Sequence, residues 1–207
     1  PPGCTSVLAS EADVVHLALS HLWDLGHRKI ALLPRPAARP YRQVPLLPSP
    51  YETIFTNWCL GRGIFDPTRI LASERHENGP SLPGMDPPAA LIEMLRDALS
   101  GGDPPTAIFA PQEGIGPSLI RAVQALGIPV PQVLSLVGVD TENGLMARAH
   151  VPLTCVELPH EAIGRCAVLQ MSHLLEAAPP SSNPAPITTV PVSRLVRRAS
   201  AATPFPR

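Results

Sequence analysis

A chain of 207 residues, 44% of them hydrophobic, can bury a real core in one or two domains. Its formal net charge of −1 gives no electrostatic footprint for nucleic acid, so any DNA contact is expected from a part outside this chain. No apolar run approaches the roughly 20 residues of a membrane span, and the opening PPGCTSVLASEAD lacks the charge-then-apolar form of a signal peptide.

The first clear element starts at Ser10. Ser10-x-x-Asp13 resembles a capping box, and Val14, Leu17, Ala18, His21, Leu22 and Leu25 follow at helical spacing. Gly26 fits the position just past a helix end. His27, Arg28 and Lys29 then suit the negative pole of the helix dipole, which makes this basic triplet punctuation rather than a phosphate site. Ile30-Ala31-Leu32-Leu33 reads as a short strand buried on both faces.

The alternation repeats. A helix is expected over 51–62, a short strand at Arg69–Ala72 and a helix from Pro87 to Leu99. Thr106–Ala110 is a strand, 117–126 a helix closed by Gly127, and Leu134–Val139 another apolar strand. Helix 159–176 follows, and the run ITTVPVSRLVRRAS has strand-like alternation. Prolines, 28 in all, are dense in 34–50, 80–88 and 179–191, which marks those stretches as irregular connections.

Strands separated by such helices give an α/β fold with a parallel sheet, right-handed crossovers and helices on both faces. Ligands of such sheets sit beyond the carboxyl ends of the strands. The residues there are Pro34–Arg39, Ser73–His76, Pro111–Glu113 and Asp140–Glu142. Gln112, Glu113 and Asp140 offer acceptors to a hydroxyl-rich ligand; the competing reading is ordinary loop polarity.

No nucleophile elbow, P-loop, dinucleotide fingerprint or H-E-x-x-H run is present, so an enzyme, a catalytic residue and a cofactor are not expected. His16 and His21 are five apart, off the spacing with which a helix presents two histidines to one metal, and no metal site is expected. Cys4, Cys59, Cys155 and Cys166 have no C-x-x-C spacing and read as unpaired thiols, with a disulfide left open. His160 and Glu161 suit a helix start. Arg194, Arg197 and Arg198 read as a solvated strand edge, with phosphate binding as the alternative. Tyr51, Phe55 and Trp58, at i, i+4 and i+7, form one core-facing stripe that also suits the wall of a sugar-sized pocket.

Five stretches occur in a telling order: HLWDLGHRKIALL (21–33), PTAIFA (105–110), ALGIPVPQVLSLVGVD (125–140), VPLTCVELPHEAIGRCAVLQM (151–171) and LVRRAS (195–200). Together they resemble the effector-binding domain of the lactose/galactose-repressor family of bacterial transcription regulators, from about Ser6 to Ser200. The resemblance implies a periplasmic-binding-protein-like fold of two α/β lobes, a sugar-like or nucleoside-like effector in the cleft, a cytoplasmic homodimer, and DNA contact only through a helix-turn-helix head absent from this chain. It also implies an N-terminally incomplete domain. Residues 1–27 are expected as part of the N-terminal lobe, 28–155 as a complete C-terminal lobe, 156–178 as a return helix in the N-terminal lobe, and 179–207 as linker and final strand. A half-built lobe is expected to expose an apolar edge or face.

The family's effector residues map unevenly. Its Arg-x-x-Gly-(Phe/Tyr) clamp falls on Tyr51, Ile54 and Phe55, so the bidentate Arg is lost and ring stacking is gained. Its Asn-Asp pair falls on Gln112-Glu113, its strand-end Asp is retained as Asp140, its acidic neighbour is Thr141, and its helix-starting Asp falls on Ser10. The implied effector-binding set is therefore Tyr51, Gln112, Glu113, Asp140 and Ser10. Two other readings remain open: a degenerate assembly module that binds no ligand, and a periplasmic solute-binding protein of the same fold.

Overall fold

The computed structural model describes residues 5–34, 50–71, 89–112, 114–141, 147, 150–176 and 187–205. In chain order these form β1 (Ser6–Ala9), α1 (Glu11–Asp24), β2 (Ile30–Leu32), α2 (Pro50–Leu60), α3 (Ala89–Ser100), β3 (Ala107–Ala110) and α4 (Gly116–Ala125). There follow β4 (Ser135–Thr141), β5 (Thr154–Leu158), α5 (His160–Glu176), β6 (Ile187–Val190) and β7 (Arg194–Val196). The expected mixed α/β architecture is present as two sheets. The larger runs β2-β3-β4-β5-β7, parallel except for β7, and the smaller is the parallel pair β1-β6.

Alternation along the central strands sorts the core into two layers. Ala107, Phe109, Val137, Val139 and Val156 face α1 and α2, where they meet Val14, Leu22, Phe55 and Trp58. Ile108, Ala110, Leu136 and Cys155 face the other way, onto Leu91 and Leu95 of α3 and Leu119 and Val123 of α4. Both faces of the sheet are thus covered, as a parallel sheet requires. Each fully buried Leu, Ile or Phe side chain stabilises the layer by about 1.5–3 kcal/mol relative to exposure.

Several elements depart from the sequence reading. Of the strand expected at Arg69–Ala72, Ile70 makes a single parallel bridge to Leu32, with Leu71 N–H donating to Leu32 O at 2.8 Å, and Ala72 lies outside the described residues. Arg69 closes a 3-10 turn over Pro67–Arg69. Asp66 caps that turn, accepting from Thr68 N–H at 2.9 Å, and Pro67 at its start favours the turn over a strand. The alternating run at 187–196 splits at Pro191 into β6 and β7, which join different sheets. Helix α1, expected with the N-terminal lobe, lies on the larger sheet, in contact with β3, β4, β5 and β7. Helix α5 lies instead on β1 and β6.

That smaller layer is thinly built. Helix α5 has no buried residue, and Val168, Leu169, Met171, Leu174 and Leu175 are exposed on it. On the sheet beneath, Leu8 and Ile187 are exposed too.

Candidate functional site

Helices α1, α2 and α4 each run antiparallel to the strand beside them, so their N-termini collect at the carboxyl edge of the larger sheet. Ser10, Tyr51, Gln112 and Asp140 therefore lie at one end of the fold, the end where such sheets bind ligands. Glu113 and the stretches 35–39 and 73–76 lie outside the described residues, as does Glu142.

The site residues occupy distinct environments. Asp140 sits near the end of β4 and is 2% exposed. Register pairs it with Glu157 of β5, so the two carboxylates project from the same face. Two residues back, the thiol of Cys155 lies 4.0 Å from Asp140 Oδ2. Gln112 follows β3 at the level to which the β3–β4 register brings Asp140. Among the described residues its Oε1 is buried without a hydrogen-bond partner. A buried amide oxygen of this kind is a ready acceptor for a ligand donor.

Sequence reasoning missed the groups behind Asp140. Arg198 Nη1 donates to Leu153 O at 2.7 Å and lies 2.7 Å from Cys155 Sγ, while its Nη2 is 3.8 Å from Glu157 Oε1. Arg194 Nη1 lies 3.0 Å from Glu157 Oε2, close enough for an ion pair but not aligned for a hydrogen bond. The arginine cluster is therefore not a uniformly solvated edge: Arg194 and Arg197 are exposed, but Arg198 is folded inward to balance Glu157. Burial is the main cause that pushes the Cys155 thiol up to about 11; the nearby guanidinium of Arg198 opposes it and the carboxylates of Asp140 and Glu157 add to it. No local sequence signal marks Glu157, because only the β4–β5 register brings it level with Asp140.

Tyr51 and Ser10 contribute differently. Tyr51 is half-buried in the first turn of α2 and packs toward the layer that holds Phe55 and Trp58, on the opposite sheet face from Asp140. Ser10 is the N-cap of α1, its Oγ accepting from Asp13 N–H at 3.3 Å. Its hydroxyl is thus engaged with the helix. Among the described residues, no group of three or more His, Cys, Asp or Glu is placed to hold a metal ion, and no helix is long and apolar enough to cross a membrane. Cys59, Cys155 and Cys166 are free thiols, and Cys4 lies outside the described residues.

The sequence pattern of the periplasmic binding protein-like domain matches residues 19–201. The chain belongs to that family. Within it, the resemblance to the lactose/galactose-repressor regulators is borne out. The chain is 26% identical over 156 residues to the HTH-type transcriptional regulator GalR of Streptococcus thermophilus, 74% of this chain and 43% of that protein. It spans less than half the length of that regulator. A LacI family transcriptional regulator from Mycobacterium smegmatis superposes with a TM-score of 0.73 at 23% identity, over 99% of this chain and 68% of the other. The transcriptional regulator CelR in complex with cellobiose gives 0.69 at 20% identity, over 95% and 54%. At these identities the two structures show a shared fold.

This periplasmic binding protein-like domain keeps an acceptor-rich edge. A carboxylate at Asp140 and an unpaired amide oxygen at Gln112 suit a ligand that presents hydroxyl or amine hydrogens.

Proposed function

We propose that this chain is the effector-sensing and dimerisation domain of a cytoplasmic transcription regulator, controlling DNA binding by a head that is not part of it. The observation that carries the reading is the buried Asp140 carboxylate level with the unpaired Gln112 Oε1 at the carboxyl edge of the larger sheet. The effector is a small, polar, hydroxyl-bearing molecule, sugar-like or nucleoside-like, and cellobiose in a relative of the same fold supports that class. Gln112 and Asp140 accept its hydrogens, Glu113 adds a further acceptor, and Tyr51 stacks on its ring. Ser10 caps α1 through its hydroxyl oxygen and donates its remaining O–H to the effector. Binding shifts the balance between lobe arrangements, and no covalent chemistry is involved.

Thermal-shift screening against sugars, sugar alcohols and nucleosides tests the reading. At least one compound is expected to raise the melting temperature of the native protein and to have no effect on Asp140→Ala. Homodimerisation is checked separately by light scattering at micromolar concentration, where a monomer contradicts that part of the proposal.

A further inference from the structure

We infer that the outer face of α5 is a contact between two copies of this chain, in which the two α5 helices lie antiparallel. The inner face of α5 rests on the β1-β6 pair: Ile163, Cys166 and Gln170 are half-buried there, and Gln170 Nε2 donates to the hydroxyl of Thr188 on β6. Those contacts fix the rotation of the helix. Gly164, Val168, Met171 and Leu175, at i, i+4, i+7 and i+11, then form one stripe pointing away from the sheet. Val168, Met171 and Leu175 are 67%, 58% and 81% exposed. Leu174 widens the stripe on one side, and the ion pair of Glu161 with Arg165, at 2.7 Å, borders it on the other. Alternating steps of four and three are the spacing of a helix-pairing seam.

The stripe is complementary to itself in one direction. Set antiparallel about a two-fold axis between Leu169 and Gln170, Gly164 meets Leu175 of the second copy, and Val168 meets its Met171. The most exposed large side chain thus enters the place where a side chain is missing. A Cβ on Gly164 would find nothing within 4 Å, so the helix leaves an open socket there. A parallel pair would set Gly164 on Gly164 and Leu175 on Leu175, with a gap at one end and crowding at the other. The area suits a second copy as well. A helix of 17 residues is about 25 Å long, and half its surface is on the order of 500 Å² per copy. The pair then buries roughly 1,000 Å², the lower limit for a specific interface, which gives a weak, micromolar dimer.

This inference rests on the proposed dimerisation and assigns it a surface. Sedimentation velocity across the micromolar range compares the native protein with the double variant Val168→Glu, Leu175→Glu and with Gly164→Lys. The native protein is expected to dimerise, and each variant to raise the dissociation constant at least about tenfold. All three positions are exposed, and Lys forms helix better than Gly, so the circular dichroism of the variants is expected to stay native. Should the double variant fail to fold, Gly164→Lys alone decides. Direction is read separately, in protein carrying Cys4→Ser and Cys166→Ser. Chains with Val168→Cys and chains with Met171→Cys are expected to form a disulfide-linked dimer when mixed and little when oxidised apart.

A dimer left intact by a folded variant, or cross-linked as well without mixing, overturns this inference and leaves the functional reading standing. A native protein that is monomeric overturns both this inference and the proposed dimerisation. A failed effector screen with a dimer that the variants dissociate overturns the effector reading and leaves this contact standing.

Discussion

The imidazole of His27 joins residues far apart in the chain: its Nε2 lies 2.9 Å from the carbonyl of Ala202, 175 positions later. A carbonyl only accepts, so Nε2 carries the hydrogen, and Nδ1 accepts from the hydroxyl of Thr106 at 2.8 Å. His27 is 1% exposed. The basic triplet is therefore three separate devices. His27 is a buried tether, Arg28 donates to the carbonyls of Trp23 and His27 at 3.0 Å each at the end of α1, and Lys29 pairs with Asp103 at the surface. His27→Ala is expected to cost about 2–4 kcal/mol, because it opens a cavity and leaves buried polar groups unmatched. Urea denaturation followed by circular dichroism checks this, with His27→Asn expected to lose less.

Acid should weaken the fold through the same region. Burial holds His27 below its ordinary value of 6.5, and burial together with Arg197 does the same for His21. Below pH 6.5 the unfolded chain takes up protons that the folded chain still refuses, so stability falls as pH drops from 6.5 toward the depressed values. Above 6.5 both states are neutral and these groups add no pH dependence. Denaturation midpoints measured from pH 5 to 8 should show this slope, reduced in His27→Asn.

Beyond β7 the chain forms a strap under the amino ends of the large sheet. Ser200 Oγ donates to Leu136 O at 2.6 Å and accepts from Thr154 N–H at 2.8 Å, and Ser135 Oγ bonds both N–H and O of Ala202. Ser200→Ala leaves the buried Thr154 N–H without its acceptor and is expected to cost about 1–3 kcal/mol by denaturation.

Gly138 leaves little room behind Asp140. A Cβ there would lie 2.7 Å from Leu153 Cδ2, and Leu153 is fully buried. Gly138→Ala is expected to destabilise by about 1–3 kcal/mol through overpacking. Restoration of stability by Leu153→Val in the double variant confirms the clash.

Thiol reactivity should separate the cysteines. Burial pushes both Cys59 and Cys155 up to about 11, so almost no thiolate exists at pH 8, whereas Cys166 is half-buried on the thin layer. In a Cys4→Ser protein, a disulfide reagent is expected to label Cys166 first. Cys59 and Cys155 should follow only on unfolding.

The strands that were plain in the sequence are those buried on both faces: Ile30–Leu32, Ala107–Ala110 and most of Ser135–Thr141 have near-uniform apolar composition. Ser6–Ala9 and Thr154–Leu158 went unread because they are short and carry Ser6, Thr154 and Glu157, whose pairing comes from strands elsewhere in the chain. The run at 187–196 kept one period across Pro191, and alternation alone does not say which sheet a strand joins. Asp140 and Gln112 were legible from topology, because their positions follow strands. Glu157 and Arg198 were not, since only register and the inward fold of one side chain bring them behind Asp140. His27 was misjudged for a similar reason: its burial depends on Ala202, which no local pattern connects to it.

The carboxyl edge around Asp140 and Gln112 is the place proposed to hold a small polar effector. Calorimetric titration of the best thermal-shift compound into the native protein and into folded Asp140→Ala and Gln112→Ala variants tests it most directly. Saturable one-site binding is expected, weakened about tenfold or more by either substitution, as for loss of one buried hydrogen bond to a ligand. Affinity unchanged in both variants would contradict the account, and so would the absence of any saturable heat across the sugar, sugar-alcohol and nucleoside panel.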